Sequence, residues 1–345
     1  MLITDGKTLI TGATGSLGKQ LVHDFVQRGV QPIAQVRESS DTAYLDRVGL
    51  EKRKCDLNTA PSFQELLRGI DAVIHTAAWV NFRQDRPTQF AALNTVAAVK
   101  LFQAAAEAGV KRFVQVSTIA AVGARARRNN KTSKALSESD LINEEHDFNL
   151  AHLRIPYILS KHSAEDQLQK LASNSSTELV MVNPSVIIAP SRTGDDRGKA
   201  RKSFKWLLAP DLPNRINLVD IRDVVPGVIG ALEKGRPGER YILAGDNITV
   251  RALLLDISSI LGVAPHLVRL PRTLLNVASR GAVTWSKLTG KGKVSFYPDL
   301  VRLLEYDWAY SSMKARRELG FTNRSIERSL EDLLTNNMTG TYLKP

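Results

Sequence analysis

The chain has 345 residues, 43% hydrophobic and 24% charged, which is typical of a globular protein and excludes a disordered or fibrous one. We expect neither a secretory signal, because Asp5 and Lys7 interrupt the N-terminus, nor a spanning helix, because no apolar run reaches about 18 residues. Cys55 is the only cysteine, so we expect no disulfide, no cysteine-based metal site and a cytoplasmic location.

The charge balance is basic, with 47 Lys and Arg against 35 Asp and Glu and a net charge of +12. Such an excess can attract anionic ligands, nucleic acid or membrane surfaces. Much of it lies in three runs, at 125–134, 199–205 and 287–293. None of these runs interleaves the aromatic residues that stack on bases. We therefore interpret them as solvated loops or a rim around an anionic ligand, and we expect no nucleic-acid partner.

The first 190 residues alternate short apolar runs with longer helical patterns. The predicted strands cover 8–11, 32–36, 50–57, 71–78, 112–118 and 178–188, and the predicted helices lie near 16–29, 61–69, 88–109 and 152–173. This alternation predicts an α/β fold with a Rossmann-like, doubly wound parallel sheet. A long polar insertion at 119–151 interrupts the pattern.

The pattern changes after about residue 190. Loop-like and proline-containing segments are followed by helical patterns near 249–262, 272–289, 311–319 and 325–335. We predict a sheet domain over 1–190, to which 215–245 contributes a final strand. A smaller, mostly helical cap over 191–345 would cover the substrate.

A glycine-rich turn, "TGATGSLG", lies directly between the first strand and the first helix. Glycines let the backbone turn tightly and approach a phosphate closely, and the helix N-terminus attracts its negative charge. The strand, turn and helix context that this motif requires is present. The motif predicts dinucleotide binding by Gly12, Thr14, Gly15, Ser16, Leu17 and Gly18.

The residue at the end of the second strand bears on the choice between NAD and NADP. NAD-binding chains usually place an acidic residue there, for the ribose 2′-hydroxyl. Here Arg37 follows Val36, and a guanidinium suits the 2′-phosphate of NADP. Glu38, one residue later, weakens this argument for NADP(H), so NAD(H) stays open. Asp56, after the third strand, is a candidate contact for the adenine.

Tyr157 precedes Lys161 by one helical turn, so the two side chains share a helix face. A nearby ammonium favours the phenolate and lowers the pKa of a tyrosine, which brings it closer to the working range for acid/base catalysis. The alternative is a half-buried tyrosine beside a surface lysine, since this spacing often occurs by chance.

Six motifs in order give a family resemblance: "TGATGSLG", "DLN", "HTAA", "VQVST", "YILSKHSAE" and "NPSVII". Over 7–190 the chain resembles the extended short-chain dehydrogenase/reductase family, also called the epimerase/dehydratase superfamily. Two further segments, "VDIRDVV" and "SSMKARRELGF", extend the match. The chain is most similar to the dihydroflavonol reductase and 3β-hydroxysteroid dehydrogenase branch.

The resemblance implies a role for each matching residue. Tyr157 would be the acid/base residue, Lys161 its partner and Thr118 the hydroxyl that holds the substrate oxygen. Asn94 could instead join two helices, and the Asn183 segment could simply end a strand. The implied cofactor contacts, besides Tyr157 and Lys161, are Leu57, Thr76, Ala77, Ala78, Asn94, Ser117, Asn183, Pro184 and Ser185.

These features predict an NADP-dependent oxidoreductase that acts on a carbonyl or alcohol of a bulky, lipophilic small molecule. The first alternative is an NAD-dependent nucleotide-sugar epimerase or dehydratase, whose diphosphate Arg192, Arg215 or Arg222 could hold. The second is a regulator that senses NADPH without turnover, which the intact Tyr157 and Lys161 pair disfavours.

The segment 271–293 combines apolar positions with a basic end. We favour a helix that packs within the cap over a lip in peripheral contact with a membrane. The resemblance also allows a homodimer through 88–109 and 152–173. No metal ligand set is expected.

Overall fold

A computed structural model describes residues 6–60, 62–80, 87–126, 137–190, 198, 200–202, 208–210, 214–263, 266–268 and 302–335. The strands are β1 (Thr8–Thr11), β2 (Ile33–Val36), β3 (Lys52–Lys54), β4 (Ala72–His75), β5 (Arg112–Val116), β6 (Arg125–Ala126), β7 (Glu178–Pro184), β8 (Val186–Ile188), β9 (Leu208–Pro210), β10 (Arg215–Asp220), β11 (Arg240–Leu243), β12 (Asp246–Thr249), β13 (His266–Val268) and β14 (Tyr306–Asp307).

As far as β7, α-helices of the described chain lie between successive strands. The described helices are α1 (Ser16–Gln27), α2 (Ala43–Arg47), α3 (Gln64–Leu67), α4 (Pro87–Phe90), α5 (Ala98–Glu107), α6 (Ile119–Val122), α7 (Pro156–Ala172), α8 (Ile221–Lys234), α9 (Val250–Leu261), α10 (Met313–Leu319) and α11 (Ile326–Thr335). A π-helical segment, Ala91–Ala97, joins α4 to α5. No helix of the described residues is long and apolar enough to cross a membrane.

Seven parallel strands form the main sheet, in the order β11-β7-β5-β4-β1-β2-β3. β1 pairs with β2 on one side and with β4 on the other, so the chain reverses its direction of winding between β1 and β4. In open α/β sheets, ligands bind in the crevice outside the carboxyl ends of the strands at such a reversal. The topology therefore locates a ligand crevice beyond Thr11 and His75.

Apolar side chains cover both faces of this sheet, as a parallel sheet requires. On one face α1 and α8 pack over the strands through residues such as Phe25 and Val228. On the other face α3, α5 and α7 pack over them, with Leu101 and Leu168 fully buried. The two layers fix the sheet edge at which the crevice opens.

Beyond the main sheet, β10 pairs with β8 and β12 in a three-stranded sheet. Buried Ile326 and Leu330 of α11 pack on Leu218 of β10, with side chains of α9 beside them. β6, in the polar insertion, pairs with β14, so the insertion is attached to the C-terminal part of the chain. These elements lie beside the open edge of the crevice.

The predicted fold class is confirmed, and most predicted elements occur within a few residues of their predicted bounds. The helix predicted over 88–109 differs, because its first part contains the π-helical segment. The polar stretch 50–57 contributes only β3, a short edge strand with exposed lysines, as suits a sheet edge facing solvent. The helix predicted near 272–289, the segment 271–293 and most of the basic runs lie outside the described residues.

Candidate functional site

A cavity of about 970 Å³ lies at the carboxyl ends of β1, β2, β4 and β5, in the crevice that the topology locates. It brings together most of the site residues that the sequence predicts. Those in its lining are Gly12, Thr14, Gly15, Ser16, Leu17, Gly18, Arg37, Asp56, Leu57, Thr76, Ala77, Ala78, Ser117, Thr118, Tyr157, Lys161, Pro184 and Ser185.

The glycine turn is shaped by close backbone contacts that no side chain could tolerate. Gly12 has a φ of +66°, and a Cβ atom there would lie 2.9 Å from the backbone of Ala77. A Cβ atom on Gly18 would lie 2.2 Å from the Gly12 carbonyl oxygen. No side chain caps the first turn of α1, and no acidic residue lies in it. The turn therefore offers backbone N–H groups and a positive dipole end to a pyrophosphate.

Gln35 supports this turn, although the sequence pattern gave no reason to select it. Its side chain is buried in β2, and its Oε1 accepts a hydrogen bond from the Gly12 N–H at 3.1 Å. Its Nε2 donates to the Cys55 carbonyl at 2.6 Å. A glutamine inside an apolar strand is the one signal in the sequence that could have identified it, since buried amides need partners.

At the far end of the nucleotide crevice, Arg37 is exposed and lines the cavity. Among the residues that the structure describes, no carboxylate lies within ion-pair distance of its guanidinium. Glu38 instead pairs with Lys54 at 2.8 Å and does not line the cavity. The acidic residue that weakened the case for NADP is therefore directed away from the crevice.

Tyr157, Lys161 and Thr118 come together at the middle of the cavity. Pro156 starts α7, so Tyr157 lies in its first turn and Lys161 one turn later. Thr118 is the N-cap of α6, where its Oγ1 accepts a hydrogen bond from the Ala120 N–H. Thr118 also bonds the phenol of Tyr157. The arrangement can hold an oxygen atom between two hydroxyl donors.

The electrostatics of this group differ from the sequence prediction in one respect. Burial raises the pKa of Tyr157 above its usual value, and the hydrogen bond from Thr118 opposes this only in part. The prediction that Lys161 lowers the pKa of this tyrosine is therefore wrong for this arrangement, because desolvation outweighs the one opposing influence, the hydrogen bond from Thr118. Burial also lowers the pKa of Lys161 to about 8, against the influence of Glu165, while Lys161 Nζ donates to the Val116 carbonyl at 2.7 Å.

His75, the first residue of the "HTAA" motif, is a further buried group beside Lys161 and does not line the cavity. Burial, and then the charge of Lys161, lower the pKa of His75 to about 3, so the imidazole is neutral at ordinary pH. Its Nδ1 lies 2.7 Å from Thr11 Oγ1, and its Nε2 has no partner among the described residues. A neutral imidazole adds no second positive charge next to the lysine.

Asn94 and Asn183 lie behind the cavity wall rather than in it. Asn94 Oδ1 accepts from the Trp79 N–H at 2.7 Å, and its Nδ2 donates to the Trp79 carbonyl and to Ser160 Oγ, each at 3.1 Å. Asn183 is fully buried and donates to the Thr118 carbonyl at 2.9 Å. The structure thus differs from the predicted cofactor contacts, because both amides bond protein atoms that carry the wall.

The end of the cavity away from Arg37 is apolar, which the sequence did not predict residue by residue. Its walls come from the turn after β4, from the π-helical segment, from β8, from β10 and from the residues on either side of β14. The lining side chains there include Trp79, Val80, Leu93, Val186, Ile187, Ile216, Leu303 and Trp308. The lining therefore changes from polar at the nucleotide end to apolar at the opposite end.

The glycine turn, the crevice and the tyrosine–lysine–threonine group together define an NAD(P)-binding oxidoreductase. The turn fits a dinucleotide, because Cβ atoms on Gly12 and Gly18 would clash with neighbouring backbone and Ser117 and Ser185 keep buried hydroxyls without described partners. The sequence profile of the NAD dependent epimerase/dehydratase family matches residues 8–244. The chain belongs to this family, as the motif order predicts.

Several characterised proteins are similar over nearly the whole chain. Sterol demethylase protein B of Methylococcus capsulatus is 29% identical over 335 residues, which cover 94% of this chain and 96% of that protein. The 4-hydroxy-2-methyl-3-oxo-4-farnesyl-3,4-dihydroquinoline-1-oxide ketoreductase of Stigmatella aurantiaca is 25% identical, with 95% of both chains covered. Ceramide reductase of Caulobacter vibrioides is 26% identical over 89% of this chain and 87% of that one.

Solved structures agree with the architecture. The crystal structure of gox2253 superposes with a TM-score of 0.77 at 25% sequence identity, covering 98% of this chain and all of that one. The likeness extends over nearly the whole chain. It places the whole described chain within one known type of fold.

We predict that Gly18→Ala weakens NADPH binding by about tenfold or more, because the added methyl group would displace the Gly12 carbonyl from the phosphate turn. Fluorescence titration of purified protein with NADPH measures the loss. Gly15→Ala is the graded comparison, since its Cβ would lie 3.2 Å from the same oxygen and should have a smaller effect. Equal affinity in Gly18→Ala and wild type would contradict this account of the turn.

Proposed function

We propose that the chain is an NADP-dependent reductase of a carbonyl group on a bulky, lipophilic small molecule. The observation that carries this proposal is the apolar end of the cavity, next to Tyr157 and Thr118. Burying apolar ligand surface contributes about 25 cal/mol for each Å² removed from water. A cavity with an apolar end therefore favours a substrate whose body beyond the reacting carbon is hydrocarbon.

The arginines that could have held a sugar diphosphate have other partners. Arg215 pairs with Asp307 at 3.0 Å, and Arg222 pairs with Asp220 at 2.6 Å and with Asp332 at 2.8 Å. Neither arginine lines the cavity, and Arg192 lies outside the described residues. Among the described lining residues the cations are Arg37 and Lys161, at the nucleotide end and the centre. This distribution favours a neutral substrate over a nucleotide sugar.

The amides near the substrate end also bond within the protein. Asn214 donates to the Tyr306 carbonyl at 3.0 Å. Asn217 donates to the Gly245 carbonyl at 3.0 Å and accepts from the Gly245 N–H at 2.9 Å. These bonds leave little free polar capacity for recognition of a sugar ring. The names of three relatives favour the same substrate class, since they refer to a sterol, to a farnesyl compound and to ceramide.

Bound NADPH would supply the hydride that reduces the carbonyl carbon. Tyr157 would give its phenolic proton to the carbonyl oxygen, so the product is the alcohol. Thr118 would donate a hydrogen bond to the same oxygen and stabilise the negative charge that develops there. Lys161, held by the Val116 carbonyl at 2.7 Å, would stabilise the phenolate left after proton transfer.

A panel of carbonyl substrates tests the proposed substrate class. We expect NADPH oxidation with large apolar ketones, such as steroid ketones and long-chain ketones, at a kcat/KM about 100-fold above that for acetone, because the apolar walls bind the larger body. Turnover of UDP-glucose or another nucleotide sugar, with none of the apolar ketones, would overturn the proposal in favour of an epimerase or dehydratase.

We predict that Tyr157→Phe lowers kcat by about 100-fold to 10,000-fold while NADPH binds within about threefold of wild type. The ring remains in place, and only the proton donor is lost. Kinetics with an active ketone and a parallel NADPH titration measure the two effects. Turnover near the wild-type rate would contradict the assigned role, and NADPH binding without any turnover in the wild type would favour the sensing regulator.

We predict that Arg37→Ser weakens NADPH binding by about tenfold to 100-fold and leaves NADH affinity nearly unchanged, because it removes the cation expected to bind the 2′-phosphate. Titration of each variant with both cofactors provides the measurement. Lys54→Ser is the matched control, since this nearby cation pairs with Glu38 and does not line the cavity. Wild-type protein that retains tightly bound NAD after purification would argue against the NADP assignment.

A further inference from the structure

A buried carboxylate lies one helical turn beyond Lys161. Glu165, on the same face of α7, is only 1% exposed, and it does not line the cavity. An acidic side chain is rarely buried so completely unless neighbouring groups compensate its charge. Because Glu165 is buried on the helix face that carries Tyr157 and Lys161, its carboxylate can influence the neighbouring Lys161 side chain.

Glu165 connects the group of Tyr157, Lys161 and Thr118 to β11, the strand at one edge of the main sheet. Its Oε1 accepts a hydrogen bond from Asn183 Nδ2 at 2.6 Å, and Asn183 Nδ2 also donates to the Thr118 carbonyl. Its Oε2 lies 3.5 Å from Arg240 Nη2 of β11, close enough for an ion pair but without a hydrogen bond. The carboxylate thus has a link to Thr118 and an attraction to Arg240.

The electrostatic surroundings of Lys161 make this carboxylate the balancing charge. Lys161 is 3% exposed, and burial disfavours its ammonium form. From β4 it faces the neutral His75, and on its own helix it faces Tyr157. Glu165 is the carboxylate whose charge opposes the effect of burial on Lys161. Arg240 attenuates that charge from β11, where it lies beside Glu144 and Lys314 in a second, polar cavity of about 840 Å³.

We propose that Glu165 is a positioning residue that keeps Lys161 protonated and holds Thr118 in place through Asn183, and that Arg240 sets how strongly Glu165 acts. This inference rests on the proposed function in one respect: the proposed function gives Lys161 its catalytic role. If Glu165 had a purely structural role and only joined α7 to β11, removing its carboxylate would leave the protonation of Lys161 unchanged.

Two variants test the proposal with opposite expected signs. In Glu165→Gln the ammonium of Lys161 loses its compensating charge, so the lysine should lose its proton at a pH about one unit lower. In Arg240→Gln the positive charge near the Glu165 carboxylate is removed, so the carboxylate should act more strongly on Lys161 and the lysine should keep its proton to a higher pH. Carbon-13 NMR of the lysine Cε atoms follows this titration, with Lys161→Arg identifying the resonance.

The kinetic readout should follow the same signs. The alkaline limb of the pH dependence of kcat should move to lower pH in Glu165→Gln and to higher pH in Arg240→Gln. Asp166→Asn is the matched control, because this neighbouring carboxylate is exposed and pairs with Lys170 at 2.7 Å. It should leave both the NMR titration and the alkaline limb unchanged.

Glu165→Asp covers the case in which Glu165→Gln does not fold, since it keeps the charge and should retain most of the wild-type lysine titration. Lys161 titrations that agree within about 0.2 units in Arg240→Gln and wild type would overturn the proposal. The NMR titration needs no substrate, so a protein without carbonyl reductase activity would still show whether Glu165 and Lys161 are coupled. Failure of the proposed function and failure of this inference are therefore distinguishable.

Discussion

The site depends on the point at which β1 and β4 separate. Their last paired residues, Thr11 and His75, are joined by the hydrogen bond between Thr11 Oγ1 and His75 Nδ1. One residue further, Thr76 Oγ1 donates to the Thr11 carbonyl at 2.6 Å, and Gly12 turns away with a positive φ. Because the strands part here, the glycine turn can approach Ala77 and still leave a crevice for a dinucleotide. A side chain at Gly12 would close that crevice at its origin.

The group of Tyr157, Lys161 and Thr118 is built on this crevice from elements distant in sequence. The β5 strand supplies the Val116 carbonyl that holds Lys161, and the turn after it supplies Thr118. Buried amides then fix these parts from behind: Asn183 bonds the Thr118 carbonyl, and Asn94 joins Trp79 to Ser160 of α7. The π-helical segment that carries Asn94 adds a second bond to α7, from Thr95 Oγ1 to the Ser160 carbonyl. Burying the amides of Asn94 and Asn183 costs free energy, and this cost is offset because both hydrogens of each NH₂ group are bonded.

The parts that the sequence predicted well are those in which local pattern and structure coincide. The β1 strand was predicted with its observed bounds, since its apolar run ends at a glycine turn. The parallel, doubly wound sheet was predicted from short strands that alternate with helices. For Asn94 and Asn183 the sequence left a cofactor contact and a structural role both open, because a buried amide has the same sequence signature in either role. The sequence could not identify Glu165 as a buried residue either. An acidic residue one turn from Lys161 is usually expected on the helix surface, and only the structure shows that it is buried.

In the folded chain several of the basic residues form ion pairs within the protein. Arg112 pairs with Glu178, Arg236 with Glu318 and Arg324 with Asp223, and these pairs join strands and helices away from the cavity. In each pair one side chain is largely buried, and the pairing removes these arginines from ligand binding. Near the cavity the charges are few and ordered, with Arg37 at one end, Lys161 at the centre and apolar walls beyond. That order, rather than the net charge of +12, supports the proposal of a phosphate-bearing cofactor at one end of the cavity and a neutral, hydrophobic substrate at the other.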